Sequence, residues 1–370
     1  MNKLAILSSI YPPDSGGPAT FTAAYKNFLQ DKGIRPYVVS YCDGKSQSYK
    51  SSRESIRLIT RKQNPVVRLI LMIFEIWKLA FMRIPILANG CFLELSIATL
   101  FAPNNFTVKI PGDIVWERAS SKGFVNCSVH DFQSVKLPFN LRILRFFFTL
   151  SLRRAKVVLV PAPYLVQLAI SWGVNSRRIV LIYNGVDIDA FQPMDLQKNY
   201  DVISVSRLVP VKNIEETIKC CARLNLSMLV VGDGPLLQPL RHLAKATGAN
   251  VTFAGNADQS ELPHLYNQSR VMVLNSSIEA TSYSLLEARA CGLPTIANLG
   301  TGATEVISHN RDGILCGDST NMTLEDALLK LTSDHHLAAF YGENAREDAV
   351  KRFSRKRLFD EILAYTTTGK

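Results

Sequence analysis

Short apolar, β-branched runs recur along the chain, each followed by a longer segment with helical spacing. Leu4–Ser8, Tyr37–Tyr41, Val108–Ile110, Val157–Val160 and Ile179–Tyr183 form a first series. Val202–Val205, Met228–Val231, Val251–Phe253, Val271–Leu274 and Thr295–Ala297 form a second. A strand apolar on both faces has to be covered on both, which suits parallel strands between layers of helices. The alternation is that of a doubly wound α/β protein. A polar stretch at Asp187–Tyr200 containing Pro193 separates the series, and the second opens with DVISVSRL at Asp201. Two Rossmann-like domains facing each other across a cleft are therefore expected, over residues 1–190 and 191–345. Residues 346–370 read as a helical, Lys/Arg-rich segment that packs back toward the first domain. No internal repeat or low-complexity tract is visible.

With 47% hydrophobic and 20% charged residues in 370, the chain can bury two cores, and wholesale disorder is excluded. The longest apolar runs, around Leu69–Leu87 and Leu141–Leu152, are broken by Glu75, Lys78 and Arg83 and by Arg142 and Arg145. Neither offers the roughly 20 uncharged residues of a membrane-spanning helix. The opening MNKLAILSSIYPPD ends its apolar stretch at Pro12-Pro13 without a small-residue cleavage site, so it reads as a buried first strand. Seven cysteines (Cys42, Cys91, Cys127, Cys220, Cys221, Cys291, Cys316) with no CxxC pair argue against a disulfide framework or a structural zinc site. A reducing, cytoplasmic compartment is the expectation.

Charge is unevenly placed. Residues 1–190 carry 24 Lys+Arg against 11 Asp+Glu, whereas residues 191–370 carry 18 against 20. A basic half fused to a near-neutral one implies an anionic partner: nucleic acid, anionic lipid or a phosphorylated acceptor. A merely solvated basic face is the plainer alternative.

Three phosphate motifs fail on inspection. Gly44-Lys45-Ser46 would need the first P-loop glycine at position 39, which is Val39. Gly232-Asp233-Gly234 and Gly300-Thr301-Gly302 each lack the third glycine of a dinucleotide fingerprint, which disfavours a nicotinamide or flavin enzyme. Asp187 and Asp189 have Asp-x-Asp spacing after Asn184-Gly185-Val186, yet no metal is expected there. Other features follow predicted strands, where ligands gather in open α/β sheets. YPPDSGGPAT brings Gly16-Gly17 to the start of a helix over Ala19–Gln30, although a double glycine is also an ordinary turn. SRLVPVKN places Arg207 and Lys212 at a strand's carboxyl edge, as a diphosphate clamp or a solvated pair. NSSIEATSYSLLEARACGLPTIA sets Glu279 in a loop and Glu287 eight residues on, inside a helix beginning near Ser282. Amides from Thr281 to Ser284 would accept a phosphate, and the Glu287 carboxylate could take two vicinal hydroxyls.

At these residues the chain resembles the retaining, nucleotide-sugar-dependent glycosyltransferases of family 4, which have the GT-B fold. The matching pieces are SRLVPVKN, VGDGP, FAGN, the Glu279–Glu287 block with CGLPTIA, and in the first half YPPDSGGPA, IPGDIVWERA and YNGVD. The resemblance implies that Gly16 and Gly17 line a donor diphosphate and that Arg207 and Lys212 neutralise it in place of a metal. Gly232 forms a donor loop, Glu279 meets the transferred sugar, and Glu287 meets the ribose. The amides near Ser282, Tyr283 and Ser284 also hold the diphosphate. The family loop after the first Glu is glycine-rich, whereas here it reads Ala280-Thr281-Ser282-Tyr283. Many members place His, often His-Asp, after the first-domain strand; here FTVKI runs into Pro111-Gly112-Asp113. Asp113 is the favoured group at the reaction centre, with His130 the alternative.

The implied activity is metal-independent transfer of a hexosyl or related group from a nucleotide diphosphate sugar to an acceptor hydroxyl, with no cofactor. The basic half would hold the acceptor. Lys45–Arg68 has seven Lys+Arg against one acid, and Lys136–Lys156 has six and none. The second could lie on an anionic bilayer or be a core helix with basic ends. A lipid-linked or growing surface glycan, as in polysaccharide or lipopolysaccharide synthesis, fits a cytoplasmic protein peripheral on the inner membrane face. A nucleotide-sugar epimerase of the same fold and a non-catalytic partner subunit stay open. Nucleic acid is disfavoured, because no zinc-finger or RNP-type motif is present.

Overall fold

A computed structural model describes residues 3–14, 16–102, 105–121, 123–125, 127, 129 and 131–368. The chain divides into two compact units, one of residues 1–182 with 359–370 and one of residues 183–358.

In the first unit the described strands are β1 (Lys3–Ser8), β2 (Arg35–Cys42), β3 (Gln47–Lys50), β4 (Ser55–Thr60), β5 (Ile86–Asn89), β6 (Phe106–Lys109), β7 (Val157–Val160) and β8 (Ile179–Leu181). They form one sheet in the order β3-β4-β2-β1-β5-β6-β7-β8, parallel except for the β3–β4 pair. The central strands are buried along their length, so covering helices are obligatory. These are α1 (Gly17–Asp31), α2 (Pro65–Phe81), α3 (Phe92–Ala98), α4 (Ile114–Ser121), α5 (Phe139–Arg154) and α6 (Pro163–Ser171). From β1 the chain steps one way, through α1 to β2; from β4 it crosses back through α2 to β5. Right-handed crossovers then put α1 on one face and α2, α3 and α5 on the other. The switch of direction falls between β1 and β5.

The second unit repeats the plan. Its described strands are β9 (Tyr200–Val205), β10 (Met228–Val231), β11 (Val251–Gly255), β12 (Ser269–Leu274), β13 (Thr295–Asn298) and β14 (Gly313–Cys316). All run parallel in the order β11-β10-β9-β12-β13-β14, so the switch lies between β9 and β12. Helices α7 (Ile214–Arg223), α8 (Leu237–Thr247), α9 (Leu262–Asn267), α10 (Tyr283–Ala290), α11 (Leu324–Ser333) and α12 (His335–Arg352) cover it. Apolar layers fill both faces, one around Leu285, Leu286 and Phe353 and the other around Ile218, Leu240 and Leu328. Arg289 lies fully buried between Asp312 (2.9 Å) and Asp348 (3.1 Å).

The division of the chain falls before the polar stretch at Asp187–Tyr200, because the segment after Tyr183 is already tied into the second unit. Val186 bridges to Ser354, and Asp187 pairs with Arg355. The last helix, α13 (Arg355–Thr367), then carries the chain back, and its Phe359 packs against Phe21, Tyr25 and Phe28 of α1.

Candidate functional site

In an open parallel sheet, the loops leaving adjacent strands diverge at the switch point and leave a crevice at the carboxyl ends. In the second unit those loops follow β9 and β12. The Ser277 amide donates to the Val211 carbonyl (2.9 Å), and Asn275 Nδ2 donates to the Asn213 carbonyl (3.3 Å), lacing the loops together. Lys212 on one loop forms an ion pair with Glu279 on the other, with both side chains largely shielded. Arg207, earlier on the β9 loop, is exposed. One cation and one carboxylate thus meet here, with a second cation on the same loop.

Neighbouring loops press in closely. Gly232 has φ +130°, and a Cβ on it would lie 2.0 Å from the Ser206 carbonyl oxygen. Gly302, after β13, donates its amide to the Glu279 carbonyl (2.8 Å). A Cβ on Gly302 would lie 2.2 Å from the Ala280 carbonyl oxygen. Glycine is needed at both positions because backbone meets backbone.

The segment Thr281–Ser284 opens α10. Asn184 Nδ2 donates to the Thr281 carbonyl (2.8 Å), and the Tyr283 hydroxyl donates to Asn184 Oδ1 (3.3 Å). The Ser282 and Ser284 hydroxyls lie 3.0 Å apart. The first-turn amides of a helix have no partner within it, and they sit at the positive end of its dipole. No acid occupies the first turn of α10, so the end favours an anion.

Glu287 lies one turn further in and is buried. Its Oε1 accepts from Gln259 Nε2 (2.8 Å) and its Oε2 from the Tyr266 hydroxyl (3.1 Å). Burial pushes this carboxyl above its ordinary range, and the two donors pull it partly back. Each oxygen keeps a second lone pair, so two ligand hydroxyls could still be accepted.

The predicted residues therefore fall into two groups. Arg207, Lys212, Gly232, Glu279, Thr281, Ser282, Tyr283, Ser284 and Glu287 gather at the switch point of the second unit. Gly16, Gly17 and Asp113 belong to the first. There Gly16 has φ +140°, and its carbonyl accepts the Ala19 and Thr20 amides as α1 begins at Gly17. Arg61 braces the preceding loop through Asp14 (2.8 Å), Asp43 (2.6 Å) and the Ser9 carbonyl (2.5 Å).

Asp113, expected at the reaction centre, is buried with its carboxylate engaged on all sides. Oδ1 accepts the Val115 (2.9 Å) and Trp116 (3.1 Å) amides, which makes it the cap of α4. Oδ2 accepts Gln133 Nε2 (3.0 Å) and faces Arg145 at 3.8 Å. This is the bonding of a positioning residue. His130 lies outside the described residues.

Sequence reading missed three contributors and one buried lysine of the first unit. Gly302 sits in a motif dismissed because it fails as a dinucleotide fingerprint. Gln259 and Tyr266 carry no local signal, since only the fold brings them to Glu287. Lys109, at the end of β6, is buried with its amine 4.8 Å from the centre of the Phe21 ring. Burial lowers its pKa to about 8. Among the described residues, no group of three or more His, Cys, Asp or Glu is gathered for a metal.

Comparison with known proteins follows the same division. Residues 188–348 match the profile of the family "Glycosyl transferases group 1", and residues 118–190 match "Glycosyltransferase Family 4". The chain is 30% identical over 204 residues to N-acetyl-alpha-D-glucosaminyl L-malate synthase of Bacillus anthracis, covering 50% of this chain and 52% of that protein. It is 30% identical over 188 residues to a GDP-mannose-dependent alpha-(1-6)-phosphatidylinositol monomannoside mannosyltransferase of Mycobacterium tuberculosis, covering 44% and 49%. The chain thus spans about half the length of the curated relatives it matches. Among solved structures, Anabaena HepE in complex with UDP and glucose superposes with a TM-score of 0.78 at 20% identity, covering 100% of both chains. The fold is that of the GT-B glycosyltransferases.

Proposed function

We propose that this chain, whose residues 118–348 resemble the family 4 and group 1 glycosyltransferases, moves a sugar from a nucleotide diphosphate sugar to an acceptor hydroxyl with retention at the anomeric carbon. The observation that carries the reading is the meeting of Lys212, Glu279 and the start of α10 at one strand-order switch, with Arg207 on the loop that holds Lys212 and Glu287 one turn deeper. Negative charge builds on the leaving diphosphate, and fixed cations and amides stabilise it without reorganising. Arg207, Lys212 and the amides at Ser282–Ser284 supply that charge with no metal. Glu279, paired with Lys212, turns to the hydroxyls of the sugar when a phosphate takes the lysine. Glu287 accepts the ribose hydroxyls. No step is routed through Asp113, whose lone pairs are committed to the α4 cap, Gln133 and Arg145. Same-face attack needs no enzyme nucleophile, because a diphosphate oxygen takes the acceptor proton.

The acceptor is a lipid-linked or growing glycan, and the protein works at the inner face of a membrane. The net positive charge of residues 1–190 supports that reading.

The test is a thermal-shift screen against nucleoside diphosphates and nucleotide sugars, repeated with Arg207→Ala and Glu287→Ala. A ligand bound only by the folded state raises Tm. One donor should raise it, and both substitutions should remove the shift. Folded protein that responds to no donor would sink the reading. A donor that binds without acceptor-dependent release of nucleoside diphosphate would point to a non-catalytic protein.

A further inference from the structure

The first unit carries an apolar surface that its sheet does not cover. Among the described residues, 18 large hydrophobics are exposed, and 15 of them lie between Tyr49 and Leu181. Most of these gather on one face. Helix α2 buries Met72, Ile76, Leu79 and Ala80 against the sheet, yet its opposite side is apolar too. Val67, Ile70, Phe74 and Phe81 follow one another at three-, four- and seven-residue steps, and all are exposed, Phe74 by 61%. A helix with apolar residues on two opposite sides belongs in a core or in lipid; this one is in a core on one side only.

Helix α5 repeats the arrangement. Leu141, Phe148 and Leu152 face inward, while Phe139, Ile143 and Phe146, at i, i+4 and i+7, face out, Phe139 by 76%. Short α3 lies between the two helices. Trp77 of α2 donates its indole N–H to the Ala98 carbonyl (2.8 Å), and Phe92 of α3 meets Phe148 of α5 edge-on at 5.2 Å. The loop beyond α3 adds Leu100 and Phe101, the latter 73% exposed. The apolar side chains thus form two parallel ridges with a bridge between them, on the face of the sheet opposite α1.

Cations frame these ridges. Residues 62–83 carry four Lys+Arg and one acid, Glu75, which is paired with Arg57 (3.6 Å) and Lys78 (3.5 Å). Residues 136–156 carry six and none. Lys78 and Arg142, both exposed, lie on or beside the stripes, where long stems let their charged heads reach past buried neighbours. A second copy of the chain would set basic rim against basic rim, at a cost in charge repulsion. Apolar ridges with a basic frame match an anionic bilayer interface, into which such faces sink to the acyl boundary.

We infer that α2, the Leu100–Phe101 loop and α5 together form a bilayer-insertion face selective for anionic lipid. Lys136–Lys156 is half of this face; the other half, α2, was read from sequence only as an interrupted apolar run. No described helix is long and apolar enough to cross a membrane, so the attachment is in-plane. The inference rests on the membrane reading of the proposed function and uses the first unit alone, so it stands whether or not the donor reading holds.

Flotation of the full-length protein with phosphatidylcholine vesicles, with and without phosphatidylglycerol, tests it. Wild type should float only with phosphatidylglycerol present. The pair Ile70→Gln/Phe74→Gln, and separately Phe146→Gln, should each lower partitioning about tenfold or more, with tryptophan fluorescence showing the fold intact. Lys78→Glu/Arg142→Glu should remove the lipid selectivity. Folded protein that stays with the pellet overturns the inference. Binding that salt abolishes and the glutamine variants leave unchanged overturns insertion in favour of simple adsorption. Loss of a dimer in the glutamine variants, with no vesicle binding, assigns the face to a second copy. The nucleotide thermal shift, read on the same samples, reports the second unit independently.

Discussion

Lys109 is a buried amine whose protonation differs between the folded and unfolded chain. Burial holds its amine at about 8 rather than the usual 10.5. Below about 8 both folded and unfolded chains carry the ammonium, which burial disfavours in the folded one. Between about 8 and 10.5 the folded chain has released a proton that the unfolded chain still holds. Stability relative to Lys109→Met therefore rises with pH across that window, by an amount on the order of 3 kcal/mol. All three tryptophans, Trp77, Trp116 and Trp172, lie in the first unit. Urea titrations followed by fluorescence at pH 7 and pH 10, on wild type and Lys109→Met, read this directly; equal offsets at both pH values would refute it. The same scale shows where sequence stops being informative. Asp113 was picked out by its place after a strand, but a carboxylate at a strand-to-helix corner has a competing use as a cap, and geometry alone separates the two. Glu287 was legible as a ligand-facing carboxylate from its place in the helix, whereas Gln259 and Tyr266 were not, because they reach it from 28 and 21 residues away.

At the scale of elements, the site is a set of loops held by one another. Asn184 donates to the Thr281 carbonyl and receives the Tyr283 hydroxyl. Removing its amide leaves a buried carbonyl without that donor, at a cost of about 1–3 kcal/mol. Asn184→Ala should therefore lower the second unit's melting temperature and weaken nucleotide binding, read by calorimetry and by the ligand-induced shift. An unchanged shift would mean that the loop holds its shape unaided. Gly302→Ala makes the sharper demand. Its Cβ would sit 2.2 Å from the Ala280 carbonyl oxygen, so the Glu279–Ser282 loop has to move, and nucleotide binding should fall more than stability does. Strands apolar on both faces, such as β1, β7, β9 and β10, were legible because burial of both faces leaves a run with no alternation. The edge pair β3 and β4, the short β5 and β14, and the outward ridge of α2 were not. Edge strands carry polar residues like loops, and an apolar helix face reads the same whether protein or lipid covers it.

At the scale of the whole molecule, the chain leaves the first unit after Ile182, builds the second through Leu358, and returns from Phe359. The division was legible as two series of strands, but its position was not, because Val186–Ser354 and Asp187–Arg355 are pairings of residues far apart in sequence. The return has an energetic consequence. Phe359 is 3% exposed and stacks in tilted or edge-on contact with Phe21, Tyr25 and Phe28 at 5.1–5.7 Å between ring centres. Lys32 and Asp360 add an ion pair of 2.8 Å, but both are too exposed for it to contribute much. Truncating a buried Phe to Ala costs about 3–5 kcal/mol. A residue near the C-terminus should thus govern the stability of a unit made mostly from the N-terminal half. In Phe359→Ala the tryptophan-detected unfolding of the first unit should move to lower urea by that amount, while the nucleotide-induced shift of the second unit persists. If α13 merely rested on the surface, the fluorescence midpoint would stay where it is in wild type. If the two units unfolded only together, the loss would appear equally in a probe of the second unit.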